Sequence, residues 1–216
     1  MSFAASVERL AVPYVPSLQS MILLGLSHAG KTTVGQLLAE RLGCPFYDTD
    51  EFIRIRTGLT PRELCRQGGV SALHAAEAAA LRECLSRDFA AVPQCVAALA
   101  GNTAQARTEI GAVIAAGGGI CDNAEAAAII AAVPQRVFLY AGEPALFERL
   151  TRDALQTGYY PAFLRFLPVT QKAEAQRLFA ELYARRTERY RSICNLIVDT
   201  DGMDCAAVAQ RIAEQC

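Results

Sequence analysis

Residues 25–32 read GLSHAGKT and fit the pattern G-x-x-x-x-G-K-[ST], with Gly25, Gly30, Lys31 and Thr32 at its fixed positions. Backbone N–H groups can curl around a phosphate only where side chains do not intrude, and the fixed glycines permit this. In such a loop the lysine reaches the terminal phosphates, and the Thr32 hydroxyl is a ligand for Mg²⁺. The helix that follows directs its positive end at the anion. The spacing therefore predicts a site for ATP and Mg²⁺.

The sequence on either side of this loop supports the interpretation. A short apolar run at 21–25 predicts a strand, and apolar residues at helical spacing over 32–42 predict a helix that stops at Gly43. A chance match in a glycine-containing turn is the alternative, but it would not require a strand before the loop and a helix after it. The residues predicted to bind nucleotide from this segment are Gly25, Ser27, His28, Ala29, Gly30, Lys31, Thr32 and Thr33.

Two carboxylates follow the next predicted strand, at 45–49. Asp48 and Asp50 are two residues apart, and side chains at that spacing on an extended segment point the same way. Because an open parallel sheet binds its ligand beyond the carboxyl ends of its strands, both can face the magnesium and the hydroxyl that receives the phosphate. The alternative is that Asp50 only caps the helix that follows, although capping does not prevent substrate binding.

Strands and helices alternate along the rest of the chain. Further strands are predicted at 111–116, 137–140 and 195–199. Helices are predicted at 50–56, from Pro61 onward, and at 71–87, 124–132, 144–152, 171–191 and 205–215. This alternation indicates an α/β fold with a parallel sheet that is covered by helices.

The composition of the 216-residue chain restricts its class of function. Hydrophobic residues make up 52%, and 22 acidic residues balance 21 basic ones to give a formal net charge of −1. Nucleic-acid-binding proteins usually carry a basic surplus, so we expect a small-molecule partner and no nucleic acid. The eight cysteines form no CxxC pair and only two histidines accompany them, which disfavours both zinc and a disulfide scaffold. A reducing cytoplasm is expected.

The predicted organisation is one domain at 21–216 that acts as a monomer. Residues 1–20 are predicted to be an N-terminal extension, and they lack an apolar stretch long enough for a signal peptide or a membrane span. No membrane partner is expected. Residues 89–107 show no clear period and are predicted to be an insertion.

Five segments, in this order, resemble the shikimate kinases: GLSHAGKTTVG, FYDTDEFI, RTG, AAGGGI and RRTERY. The resemblance covers residues 21–216. The first segment is shared by many kinases, but the DTD strand end followed by RTG and a triple glycine is more specific. The resemblance implies a three-layer α/β sandwich around a five-stranded parallel sheet of the P-loop kinase type. It also implies transfer of the ATP γ-phosphate to a ring hydroxyl of shikimate, a step of aromatic amino acid biosynthesis.

The resemblance assigns roles at the phosphate end of the site. Asp48 corresponds to the carboxylate near magnesium, and Thr32 binds the same magnesium ion. Asp50 corresponds to the carboxylate that binds the acceptor hydroxyls. Lys31, Asp48 and Asp50 are accordingly the expected catalytic residues. Arg152, which is followed by Asp153, resembles the start of the lid and an arginine on the adenine side. The lid itself is predicted near 158–172.

It also assigns residues to the acceptor. Gly117, Gly118 and Gly119 resemble the backbone wall beside the substrate ring, the alternative being a tight strand-to-helix turn. Arg186 resembles the arginine that pairs with the substrate carboxylate, and its alternative is one more charge on a solvated helix face.

Two expected arginines of the acceptor site are missing. The family has an arginine after an aromatic residue on the helix that follows RTG, whereas Leu73 and His74 stand here, with the accompanying acid kept as Glu77. The Arg-Pro pair of the lid appears as Tyr160 and Pro161. His74 and Tyr160 are therefore expected to line the acceptor site in place of arginines, which should weaken binding of a carboxylate.

Three hypotheses follow. The first is a shikimate kinase in which Arg165, or another lid residue, replaces the missing arginine. The second is a kinase of this fold that phosphorylates a different hydroxylated small molecule. The third is a non-catalytic nucleotide-binding module, which the intact Lys31, Thr32, Asp48 and Asp50 argue against, because a decayed enzyme does not need them together.

Overall fold

The computed structural model describes residues 19–86 and 110–215. Its five strands lie in one parallel sheet in the order β2-β3-β1-β4-β5. The strands are β1 Gln19–Leu24, β2 Phe46–Asp48, β3 Ile110–Ala115, β4 Gln135–Tyr140 and β5 Leu196–Asp199. The predicted five-stranded parallel sheet is therefore confirmed.

Helices cover the sheet. They are α1 Lys31–Leu42, α2 Thr49–Thr57, α3 Pro61–Ser86, α4 Ala124–Ala131, α5 Glu143–Thr157, α6 Lys172–Ile193 and α7 Cys205–Ala213. The helix α1 packs against α7, and α3 packs against α4. Every residue of β3 is buried, as expected of a strand that is covered on both faces. Within the described ranges, no helix combines the length and the apolar character needed to span a bilayer.

Some element boundaries differ from the sequence-based prediction. The strand β1 begins at Gln19, so the predicted extension at 1–20 includes its first two residues, and the remainder of that prediction lies outside the described residues. The helices predicted from Pro61 and at 71–87 correspond to the two parts of α3, which are separated by a kink at the non-helical residue Gly69 (φ 74°, ψ −179°). The insertion predicted at 89–107 lies outside the described residues.

The sheet brings three chain segments to the same level. Asp48, the last residue of β2, is paired with Ala115 of β3, and Ala115 is paired with Leu23 of β1. The loops that leave these three strands therefore emerge side by side at one edge. They carry the GLSHAGKT segment, the two aspartates and the triple glycine.

Candidate active site

The loop at 25–30 curls around the ammonium group of Lys31. Lys31 Nζ donates hydrogen bonds to the backbone oxygens of Gly25 (2.9 Å) and Leu26 (2.8 Å). Gly25 and Gly30 both have positive φ, at 147° and 90°. Residues with a side chain rarely adopt this conformation, because the Cβ atom makes it strained. Burial lowers the pKa of Lys31 to about 8, against the attraction of Asp50 and Asp48. The loop thus holds a cation where phosphates are expected.

A cavity of about 310 Å³ opens at this loop. It is lined by Ser27, His28, Gly30, Lys31, Thr32, Thr33, Asp48, Asp50, Ala116 and Gly118. Of the nucleotide residues predicted from the loop, Gly25 and Ala29 do not line it. Ala29 is buried, and its backbone N–H donates to the Leu26 oxygen over 3.2 Å, so it shapes the loop from behind.

Asp48 connects the loop helix to the second strand. Its Oδ2 accepts a 2.7 Å hydrogen bond from the Thr32 hydroxyl, and its Oδ1 accepts a 2.9 Å bond from the backbone N–H of Asp50. The second bond makes Asp48 the N-cap of α2, so the alternative that Asp50 is the cap is wrong. Thr32 and Asp48 supply the oxygen ligands that Mg²⁺ prefers, and this ion usually takes its other ligands from water and phosphate.

Asp50 is a carboxylate in the first turn of α2 that lines the same cavity. Desolvation first, and then the charge of Asp48, raise its pKa to about 6, while the charge of Lys31 opposes them. Such a group is ionised at neutral pH yet close enough to its pKa to accept a proton.

A second cavity, of about 520 Å³, adjoins the first. It shares Ser27, Asp50 and Gly118 with the phosphate cavity. The other lining residues are Thr60, Pro61, Arg62, Cys65, Val70, Leu73, His74, Glu77, Gly117, Gly119, Asp122, Pro161, Ala162, Phe163, Leu182, Arg185 and Arg186. A group bound here would meet a group bound at the phosphate loop beside Asp50, and we call this larger space the acceptor cavity.

The triple glycine forms one wall of the acceptor cavity. A Cβ at Gly117 would lie 2.8 Å from Asp50 Oδ1, and one at Gly119 would lie 2.9 Å from Arg186 Nη2. A Cβ at Gly118 would overlap Ser27. Each glycine therefore allows a different side of the site to approach the backbone, which is more than a tight turn requires.

Arg186 is buried at the end of that wall. Its Nε donates to Asp122 Oδ2 over 2.8 Å and its Nη1 donates to the Gly118 oxygen over 3.2 Å. It is 7% exposed, so the alternative of a charge on a solvated helix face is wrong. Arg185 and Arg189 also pair with Asp122. Although burial opposes them, these arginines lower the pKa of Asp122.

Glu77 and His74 are held together by an asparagine. Asn123 Nδ2 donates to Glu77 Oε2 over 3.1 Å and to the His74 backbone oxygen over 2.8 Å. The Oδ1 of the same side chain accepts from the Ala126 N–H and caps α4. Burial raises the pKa of Glu77. His74 lines the acceptor cavity as predicted.

Tyr160 requires a correction. It is fully buried, its ring stacks on Phe147 with centroids 6.0 Å apart, and it does not line either cavity. An aromatic ring gains more from core packing than from a polar pocket, which explains the placement. Arg165 is exposed and lies outside the acceptor cavity, so it does not stand in for the missing arginine in this arrangement. Arg62 is in the cavity instead.

Arg152, predicted to lie on the adenine side, does not line the phosphate cavity. It is 69% exposed and pairs with Glu148, one turn away on α5, over 2.9 Å. Arg149 instead reaches the phosphate loop, where its Nη1 donates to the His28 backbone oxygen over 3.0 Å. The sequence contained both arginines, but it offered no signal that separated positions three residues apart on one helix.

The segment predicted as a lid, 158–172, folds back on itself against the acceptor cavity. The Tyr160 N–H donates to the Leu167 oxygen over 2.8 Å, and the Val169 N–H donates to the Gly158 oxygen over 3.1 Å. Its residues Pro161, Ala162 and Phe163 line the cavity. The segment therefore covers the acceptor cavity, while its motion stays a prediction.

Comparison with known proteins agrees with this geometry. The family model described as shikimate kinase matches residues 27–108 and 102–216. The chain is 30% identical over 195 residues to a shikimate kinase of Moorella thermoacetica, covering 90% of this chain and 92% of the relative. It is 28% identical over 184 residues to one of Pseudomonas syringae pv. syringae, covering 85% and 88%. A solved structure, shikimate kinase from Acinetobacter baumannii in complex with shikimate, has a TM-score of 0.69 at 25% identity and covers 92% and 93%.

Proposed function

Because the chain belongs to the shikimate kinase family and is a phosphotransferase that acts on a hydroxyl group, we propose that it transfers the γ-phosphate of MgATP to shikimate. One observation carries the proposal. The phosphate cavity and the acceptor cavity meet at Ser27, Asp50 and Gly118, so donor and acceptor share a boundary where a phosphoryl group can pass.

At the phosphate cavity the protein supplies charge and position. Lys31, which the phosphate loop surrounds, would neutralise the terminal phosphates, and phosphoryl transfer is accelerated mainly by such positioning and charge stabilisation. Thr32 and Asp48 would hold Mg²⁺, which neutralises charge on the phosphate oxygens when bound. Arg149, bound to the carbonyl of His28, adds positive charge beside the loop.

At the boundary Asp50 would act on the acceptor. The acceptor oxygen forms a bond to the γ-phosphorus, the bond from that phosphorus to the β,γ-bridging oxygen breaks, and ADP leaves with that electron pair. The hydroxyl proton passes to the Asp50 carboxylate. Its pKa of about 6 keeps Asp50 ionised at neutral pH and still able to take the proton.

The acceptor cavity suits a small hydroxylated acid. The triple glycine presents backbone to a ring, and Arg186 keeps N–H groups beyond those that bind Asp122 and Gly118. The lid at 158–172 would exclude water, because transfer to water must be suppressed.

We place the enzyme in the cytoplasm as a monomer. The six cysteines in the described part of the chain are free thiols, which fits a reducing compartment.

An ADP-release assay with shikimate and a panel of other hydroxy acids, including quinate, tests the proposal. We expect saturable ADP release with shikimate and mass-spectrometric detection of shikimate 3-phosphate. ADP release with another acid and none with shikimate would favour the second hypothesis, a kinase of this fold for a different acceptor.

A further inference from the structure

The cationic groups of the acceptor cavity are not equivalent. Two of its three arginines, Arg185 and Arg186, form ion pairs with Asp122, at 3.6 Å and 2.8 Å. In both cases a neighbouring carboxylate already compensates the charge. The third arginine in the lining is Arg62.

Arg62 lies in the first turn of α3 and is half-buried. Its Nη2 is 3.5 Å from the backbone oxygens of Tyr159 and of Tyr160, and such long bonds to neutral carbonyls do not cancel a charge. Within residues 19–86 and 110–215, no carboxylate forms an ion pair with Arg62. The acceptor cavity therefore contains a cation that lacks an anionic partner in the described part of the chain.

The lid supports Arg62 and Arg186 in the same way. The Arg62 guanidinium lies over the ring of Phe166, 5.6 Å from its centroid, and that of Arg186 lies over Phe163 at 5.3 Å. Phe163 and Phe166 are three residues apart in the 158–172 segment. Contacts of this kind orient a guanidinium while leaving its edge N–H groups free for a planar anion.

We propose that Arg62 is a specificity-determining residue that binds the carboxylate of the acceptor. This inference rests on the proposed function. In this proposal Arg62 replaces the arginine that the family has at the position of His74. It lies three turns earlier on α3 and contacts the lid. Because the same guanidinium contacts the lid backbone, an acceptor carboxylate on Arg62 joins α3 to the 158–172 segment when the substrate is bound.

The test uses the full chain with three variants. Arg62→Gln removes the charge, and Arg62→Lys keeps the charge but not the fork of donors. Arg66→Gln is the matched control, since Arg66 is exposed one turn later on α3 and does not line the cavity. Each protein is assayed for the KM of shikimate, of its uncharged methyl ester and of ATP.

We expect Arg62→Gln to raise the KM of shikimate about tenfold to a hundredfold, as loss of a charge-assisted contact does. Arg62→Lys should give a smaller rise and Arg66→Gln none. The KM of the methyl ester should be the same for the parent and Arg62→Gln, because the ester carries no charge for Arg62 to bind.

Three results would overturn the inference, and they are distinguishable. If the parent uses shikimate and Arg62→Gln leaves its KM unchanged, Arg62 does not bind the carboxylate and the proposed function stands. If Arg62→Gln raises the KM of acid and ester alike, Arg62 only supports the lid. If the parent does not use shikimate, the proposed function fails and the inference fails with it.

Discussion

The hydroxyl of Thr32 donates a 2.7 Å hydrogen bond to Oδ2 of Asp48 and so joins the first turn of α1 to the end of β2. Because the other oxygen of Asp48 caps α2, one carboxylate connects the proposed Mg²⁺ site to the start of a helix. Its electrostatic role and its structural role can be separated by substitution.

Asp48→Asn should lose the charge and keep the cap, since asparagine caps helices as well as aspartate does. We expect a higher Mg²⁺ concentration for half-maximal activity with little change in Tm. Asp48→Ala should also destabilise the fold by about 1 kcal/mol. Mg²⁺ titration and thermal unfolding check this, and equal Tm values for the two variants would contradict the capping role.

Lys31→Ala should reduce kcat by at least about a hundredfold, because a buried cation beside the phosphates acts where charge develops during transfer. Single-turnover measurement of ADP formation checks this. Arg41→Ala, which removes an exposed cation from the last turn of α1, is a matched control that should behave as the parent. Near-parental turnover by Lys31→Ala would remove Lys31 from the catalytic site.

The pH dependence of turnover should report Asp50. Its pKa of about 6 means that the carboxylate is protonated below that value and cannot accept the hydroxyl proton, so kcat/KM should rise as pH increases through about 6. It should fall again as pH increases through about 8, where Lys31 loses its charge. Asp50→Asn should lose activity about a hundredfold or more and keep the parental KM for ATP. Loss of ATP affinity with intact acceptor affinity would contradict the assignment.

Asp50 should also limit stability. Its pKa is raised on folding, so the folded protein holds this proton more tightly than the unfolded chain. The resulting stability is fully present below the unfolded value of 3.8 and is lost as pH rises through about 6. Asp50→Asn, which never ionises, should therefore be more stable than the parent at pH 7, with the difference vanishing near pH 4. Denaturant unfolding at both pH values checks the sign, and a less stable variant at pH 7 would contradict it.

His74→Arg should lower the KM of shikimate about tenfold, since it adds a second cation to the acceptor cavity beside Glu77, which can hold it in place. Ala75→Arg adds the same charge to the next, exposed position of α3 and should change little. Equal effects of the two substitutions would show only a general electrostatic attraction. No effect of His74→Arg would indicate that Arg62 and Arg186 already saturate the carboxylate.

Hydrogen exchange should detect closure of the 158–172 segment. The N–H groups of Tyr160 and Val169 are bonded within the segment, and their protection should increase with ADP and shikimate together. The amides at the C-terminal end of α7, which packs against α1, provide an internal reference. Equal protection with and without ligands would argue against a lid.

The parts of the site that follow local rules were predictable from the sequence. The phosphate loop is one continuous segment between a strand and a helix, so its pattern contains its geometry. Asp48 needed only the end of a strand, whereas Asp50 lies in the first turn of α2 and not on the extended segment that the two-residue period assumed. The five-stranded sheet followed from the alternation of elements.

The errors occurred where long-range packing decides. Arg62 enters the acceptor cavity because α3 lies against a segment about a hundred positions later, and no spacing in the sequence encodes that contact. Tyr160 was assigned by position, whereas burial of its ring decided its place. The choice between Arg149 and Arg152 depended on the rotation of α5, which is fixed by the core it packs on.

The kink of α3 at Gly69 divides one side of the acceptor cavity into two parts that differ in how deeply their side chains are buried. Residues 61–70 are all half-buried or exposed, whereas the later part of the helix buries Glu77, Ala78, Ala80, Leu81 and Cys84. Opening therefore costs least before the kink, where few apolar contacts must be given up. A phosphorylated product can therefore leave through the part of the cavity formed by residues 61–70, if Arg62 and the lid segment that it contacts move aside. The phosphate loop need not change its conformation in this step.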